Sequence, residues 1–157
     1  MESSRTEGGL VIDVSALPAH ADTDLGHTRW RTMEQERVDS FADVTEDHNP
    51  IHVDPAFAAG TPFGGTIAHG YLSLAMVAPL LEELLAVEGA AMSINYGLDK
   101  LRFPGPLPVG SRYRASARLG VVEEVGGGFQ LHVSVAIEVE DAAKPALVAE
   151  CLFRHYP

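Results

Sequence analysis

The chain has one cysteine, one tryptophan and half as many basic as acidic residues. A lone Cys151 excludes an intramolecular disulfide framework and fits a reducing compartment, so a cytoplasmic location is expected. Its surroundings, 147–153, read as a strand, where a thiol packs as a small apolar group rather than serving as a nucleophile. No Cys/His cluster has zinc-ligand spacing. Eleven Lys and Arg against 22 Asp and Glu leave a net charge of −11. That argues against nucleic acid as a partner, since binding it requires a basic footprint. The N-terminus carries Glu2 and Glu7 and lacks an apolar core segment, so no signal peptide is expected. The longest apolar run, 67–87, comes close to membrane-spanning length. It is interrupted by His69, Pro79, Glu82 and Glu83, and strand patterns follow it, so it reads as a buried helix and not a membrane span.

At 157 residues with 46% apolar content, the chain suits one domain with a proper core. Residues 1–28 are polar and weakly patterned, and are expected to form a loosely packed lead-in to a single domain over 29–157. Residues 30–32 could form a short strand. Thr32 with Gln35 makes a capping-box signature, and Val38, Phe41, Ala42 and Thr45 follow at helical spacing, predicting a helix over 33–45. Asn49 precedes Pro50 and is pushed out of the helical region, which places His52 on an extended segment beyond the helix. A helical turn is expected at 54–58. A second helix over 68–87 is apolar nearly all round and should kink at Pro79.

The remainder alternates as strands do. Short strands are expected at 93–96 and 99–103, and longer ones at 111–121, 129–139 and 146–155, joined at hairpin-like lengths. In the third of these, Tyr113, Ala115, Ala117 and Leu119 share one face, with Arg112, Arg114, Ser116 and Arg118 on the other. Sequential antiparallel strands with one apolar face must cover something, and the apolar helix is the available partner. The expected class is α+β, a sheet wrapped around one helix.

Chemistry concentrates in Asp47-His48-Asn49-Pro50-Ile51-His52 and in Ile67-Ala68-His69-Gly70. A carboxylate and an imidazole can together hold and activate one water, and the Asn49-Pro50 turn could bring Asp47 and His52 together. The plainer alternative is that Asp47 caps a turn and His52 is a polar loop residue. At His69-Gly70 a helix start offers free N–H groups, and glycine lets a ligand approach them; together these can stabilise an oxyanion or enolate. A glycine that merely eases packing fits equally well. Lys100, Arg102, Arg112, Arg114 and Arg118 form the densest cationic group, although any one of them could belong to a solvated strand face. His27, His132 and His155 stand alone. His48 and Asn49 read as residues that shape the loop.

The segment 41–54, followed by Gly65-Thr66-Ile67-Ala68-His69-Gly70 and by Leu101-Arg102-Phe103-Pro104-Gly105-Pro106-Leu107-Pro108-Val109-Gly110, resembles the hydratase-2 motif of MaoC-like (R)-specific enoyl-CoA hydratases. The resemblance covers residues 29–156 and extends to Ile94–Leu98, a segment similar to one in short actinobacterial members. It implies a hot-dog fold, a homodimer, and reversible hydration of trans-2-enoyl-CoA to (R)-3-hydroxyacyl-CoA, with no metal or redox cofactor. By the resemblance, Asp47 and His52 are the catalytic pair and the Gly70 N–H supplies the oxyanion hole. Some members carry a serine one turn into the central helix, where this chain has Ala75, with Ser73 nearby. The substrate would be an acyl-CoA or acyl-carrier-protein thioester. A polyanionic CoA would need the local cationic group of Lys100, Arg102, Arg112 and Arg114. The competing readings are a hot-dog acyl-CoA thioesterase and a non-catalytic acyl-thioester-binding subunit.

Overall fold

The computed structural model describes residues 8–157. Strand β1 (Leu10–Asp13) leads into a 3-10 helix at Val14–His20, and then come β2 (Thr23–His27) and β3 (Arg31–Thr32). Helix α1 (Gln35–Thr45) is followed by two short helices, α2 (Pro50–Val53) and α3 (Pro55–Ala59). The central helix is α4 (Gly70–Ala75) and α5 (Val77–Leu84), divided at Met76. Strands β4 (Leu85–Glu88), β5 (Met92–Arg102), β6 (Arg112–Val125), β7 (Gly128–Val139) and β8 (Leu147–Tyr156) complete the chain. The main sheet is antiparallel in the order β2-β6-β7-β8-β5, with β3 also pairing to β6.

This is the expected α+β architecture, with one sheet packed around the central helix. The inward residues of β6, Tyr113, Ala115, Ala117 and Leu119, are buried as their alternation predicts. They share one core with Leu131, Val133, Val135 and Ile137 of β7 and with Leu72, Val77, Leu80, Leu81 and Leu84 of the helix. The break at Met76 follows from Pro79, which has no N–H to offer the carbonyl of Ala75 one turn earlier.

Several local expectations are corrected by tertiary contacts. The part of the 1–28 lead-in that lies at 8–28 is packed, not loose; residues 1–7 lie outside the described residues. β1 pairs in parallel with β4, and Ile12, Val14 and Leu17 are buried in the common core. A Cβ on Gly9 would lie 2.3 Å from the Glu83 carbonyl oxygen, so only glycine lets the chain pass the end of α5 this closely. The predicted second helix stops at Leu84 because Leu85–Glu88 is claimed by β1. The two short strands expected at 93–96 and 99–103 are one strand, β5, whose register against β8 shifts at 95/97 and again at 98/100. Such bulges break the period-2 signal without breaking the strand. The Thr32/Gln35 capping box does not form: Thr32 is paired in β3, and the N-cap of α1 is Glu34, without a side-chain cap.

The packing of the N-terminal segment is testable. Leu17 is fully buried, and Leu17→Ala should lower the unfolding free energy by about 2–5 kcal/mol, as large-to-small core changes do. Urea denaturation of the full chain measures this, and an unchanged midpoint would show that the segment lies outside the core.

Candidate active site

Local chemistry builds the acidic side of the site. Helix α1 ends with Glu46 in the left-handed conformation, at φ 63°, which turns the chain sharply at Asp47. Asn49 then caps α2 through its side-chain oxygen, accepting from the Ile51 N–H at 3.3 Å, and Pro50 occupies the first helical position. Proline is favoured there because that N–H needs no intrahelical partner. His52 is therefore in a helical turn, not on the extended segment expected. Pro50 bars helix only for the residue before it.

His52 is buried, and Nδ1 lies 2.7 Å from the Ile67 carbonyl oxygen. A carbonyl only accepts, so Nδ1 carries the proton and Nε2 keeps its lone pair. The same Ile67 donates its N–H to the carbonyl of Ile51 at 3.1 Å. Gln35 adds a second tie: its amide nitrogen donates to the His52 carbonyl at 2.8 Å, and its oxygen accepts from the Thr66 hydroxyl at 2.6 Å. Burial pushes the His52 pKa below the ordinary imidazole value, with the neighbouring His69 acting in the same direction. The Ile67 hydrogen bond and Asp47 pull the other way without overcoming it. His52 is thus a neutral base at neutral pH.

Asp47 is exposed, and His69 is almost completely buried. A carboxylate oxygen of Asp47 and ring nitrogens of His52 and His69 all lie within 4.8 Å of one another. The histidine rings are stacked, with centroids 3.9 Å apart and planes at 29°. The three groups are close enough to share one proton, water or ion between them.

Gly70 begins α4, where the first N–H groups have no intrahelical acceptor. Its glycine identity is a matter of space: a Cβ there would sit 2.9–3.0 Å from the Phe103 ring. Phe103 in turn meets Tyr71 edge-on at 6.2 Å. The loop after Phe103 is clamped to the helix entry by hydrogen bonds from the Ala68 N–H to the Leu107 carbonyl and from the Val109 N–H to the Thr66 carbonyl. Ser73 is buried and Ala75 is exposed.

The cationic group divides. Arg112 pairs with Glu140 at 2.8 Å, Arg114 with Glu138 at 2.6 Å and Arg118 with Asp22 at 2.6 Å. Arg114 also lies over the Trp30 ring. Among the described residues Lys100 and Arg102 form no such ion pair, and Arg102 adjoins Phe103 at the end of β5. His48 turns to Asp43 at 2.8 Å, and this contact raises its pKa. Cys151 is buried, and desolvation pushes its thiol up to about 11, consistent with an inert core position. Two cavities of about 550 and 310 Å³ lie between the central helix and β5; the smaller is lined by Leu74, Ala75, Tyr96 and Leu98.

Gln35 and Phe103 were not legible as neighbours of the site. In sequence, Gln35 carries only a helix-capping signal, and Phe103 only that of a strand end. Only the fold brings them to His52 and Gly70.

The fold is that of a hot-dog protein, with Asp47, His52 and His69 gathered beside the start of the central helix. Residues 17–143 match the MaoC like domain, and the chain belongs to that family. It is 50% identical over 143 residues to 3-hydroxyacyl-thioester dehydratase Z of Mycobacterium tuberculosis, covering 90% of this chain and 95% of that protein. It is 39% identical over 87 residues to the (R)-specific enoyl-CoA hydratase of Aeromonas caviae, covering 55% of this chain and 62% of that one. The solved (R)-hydratase of A. caviae superposes with a TM-score of 0.72 at 28% identity, covering 87% of this chain and 96% of that chain.

The protonation state of His52 can be measured directly. Ring-nitrogen NMR should show the Nδ1–H tautomer and a midpoint of proton uptake below the ordinary pKa of about 6.5. Titration at or above that value would contradict the buried, Ile67-bonded geometry.

Proposed function

We propose that the protein is an (R)-specific enoyl-CoA hydratase, working reversibly as a 3-hydroxyacyl-thioester dehydratase. The observation that carries this reading is the Asp47 carboxylate held beside the His52 ring, whose Nε2 lone pair is kept free by the Nδ1–Ile67 hydrogen bond. In the hydration direction, the thioester carbonyl accepts a hydrogen bond from the Gly70 N–H, which polarises the conjugated double bond and makes Cβ electrophilic. A water held between Asp47 and His52 loses a proton to the pair as its oxygen bonds to Cβ. The electron pair of the double bond moves toward the carbonyl, and the negative charge develops where the Gly70 N–H stabilises it. Delivery of a proton to Cα completes the addition. The reaction is redox-neutral and its charge is handled by hydrogen bonds, so it calls for no metal or redox cofactor.

Charge and space support a position for the carrier. Of the cationic group, Arg112, Arg114 and Arg118 are already paired to carboxylates, which favours Lys100 and Arg102 as its contribution to holding an anionic carrier, whether CoA or acyl-carrier protein. The apolar space along α4, beginning with Leu74 and Ala75 about one turn beyond Gly70, suits an acyl chain. The single buried thiol and the acidic composition suit a cytoplasmic enzyme, and no helix among the described residues is long and apolar enough to cross a membrane.

Crotonyl-CoA tests the reading. Loss of enoyl absorbance without release of free thiol is expected; release of CoA would mark a thioesterase instead, and no reaction a binding subunit. The product should give no NADH with an (S)-specific 3-hydroxyacyl-CoA dehydrogenase. Asp47→Asn and His52→Ala should each lower kcat by about 10²- to 10⁴-fold. Their effects should not multiply in the double variant, because both groups act on the same water. Near-normal turnover by Asp47→Asn would overturn the mechanism.

A homodimer belongs to the same proposal. Among the described residues β5 is a long sheet edge paired only to β8, and it exposes Met92, Ile94, Tyr96 and Leu98. An open edge with this much apolar surface is normally covered. Light scattering at micromolar concentration should give twice the 16.8 kDa chain mass, and a monomer would remove this part of the proposal.

A further inference from the structure

His69 precedes the oxyanion glycine, and its side chain does something that a helix-capping residue does not. It makes no cap to α4. Instead Nε2 reaches back to the main-chain carbonyl of Asp47, at 3.0 Å. Because that carbonyl can only accept, Nε2 carries the proton. Nδ1 is left as a buried lone pair with no hydrogen-bond partner, a burial that carries a cost. The ring is 2% exposed and sandwiched: His52 is stacked on it at 3.9 Å, and Phe41 is tilted against it at 4.9 Å. A phenylalanine would fill this slot without stranding a polar atom. What an apolar ring would lack is the donor to Asp47.

We propose that His69 is a positioning residue that holds Asp47 and His52 in one frame, with its Nε2–H fixing the Asp47 turn and its ring face supporting the His52 ring. The need for such a tie is local. Asp47 lies in an exposed turn just past the left-handed Glu46, and its carboxylate accepts a long hydrogen bond, 3.4 Å, from the Asn49 N–H. His52, by contrast, is anchored by Ile67 and Gln35. The donor from His69 therefore joins the loosely held half of the pair to the firmly held half. It also couples the pair to Gly70 through the chain itself, since the tie and the oxyanion donor are consecutive residues.

The inference rests on the hydratase reading, and the test separates the two. The substitutions divide the functions of the side chain. His69→Phe keeps a ring between Phe41 and His52 but removes the donor. His69→Gln loses the ring but carries an amide nitrogen at the reach of Nε2. His69→Asn places its amide too short to reach Asp47. With crotonyl-CoA and the full-length protein, His69→Phe and His69→Asn should lower kcat by about 10- to 100-fold, the scale of a misplaced catalytic group, with KM changed by less than about threefold. His69→Gln should recover most of the loss. In an Asp47→Asn background, His69→Phe should cost little more, since positioning acts through the Asp47 carboxylate. Should His69→Phe fail to fold, His69→Asn and His69→Gln carry the same comparison. Full kcat in both His69→Phe and His69→Asn would overturn the positioning role, as would losses as large in His69→Gln as in His69→Asn, or losses that multiply in the Asp47→Asn background. An active Asp47→Asn single variant would instead overturn the hydratase mechanism.

Discussion

The hydrogen bond between the His52 ring and the Ile67 carbonyl is the constraint on which the site depends. It joins two segments that the sequence keeps apart, the one-turn helix after Asn49-Pro50 and the extended entry to the central helix. The return bond from the Ile67 N–H to the Ile51 carbonyl makes this a two-way tie. It selects the tautomer of His52, and burial keeps the ring neutral. It also sets how far His52 lies from Gly70, because Ile67 and Gly70 are only three residues apart along a chain held by Leu107 and Thr66 contacts. A base, a carboxylate and a helix N-terminus are thereby brought together without any of them being covalently close to all the others.

The electrostatics follow the same economy. The chain is strongly acidic, yet the arginines of β6 are matched by carboxylates on or just after β7 and just before β2. Such exposed pairs contribute little to stability individually. Within the cationic group of Lys100, Arg102, Arg112, Arg114 and Arg118, three side chains are thereby committed to carboxylates, while Lys100 and Arg102 at the end of β5 form no such ion pair among the described residues. The ion pair of Arg31 with Glu83 has another role, fastening β3 to the end of the central helix.

Much of the site was legible because its parts are local. Asp47, Pro50 and His52 lie within six residues, and the conformational preferences of Asn-Pro and of glycine at a helix start are properties of short segments. The strand alternation of β6 and β7 was legible for the same reason, since period-2 burial is written directly into Tyr113–Leu119 and Phe129–Val139. The resemblance to MaoC-like hydratases rested on those same motifs and led to the family that the comparisons establish. Where the reading failed, a distant partner had overridden the local signal. Thr32 was taken by β6, and Leu85–Glu88 was drawn out of the helix by β1. β5 read as two strands because its bulges reset the alternation.

The sequence by itself determined the class of fold, the break at Pro79, the turn at Asn49-Pro50 and the residue types able to handle a water and an enolate. These depend on backbone sterics and on apolar periodicity, which act over a few residues. Only the tertiary structure decided that residues 10–20 belong to the core, that Phe103 covers Gly70, that Gln35 braces His52, and that His69 turns its donor toward Asp47. Each of those contacts closes a long loop between segments with no mutual signature in sequence. Their physical cause is the burial of apolar surface around the central helix, which brings polar groups together that must then satisfy one another.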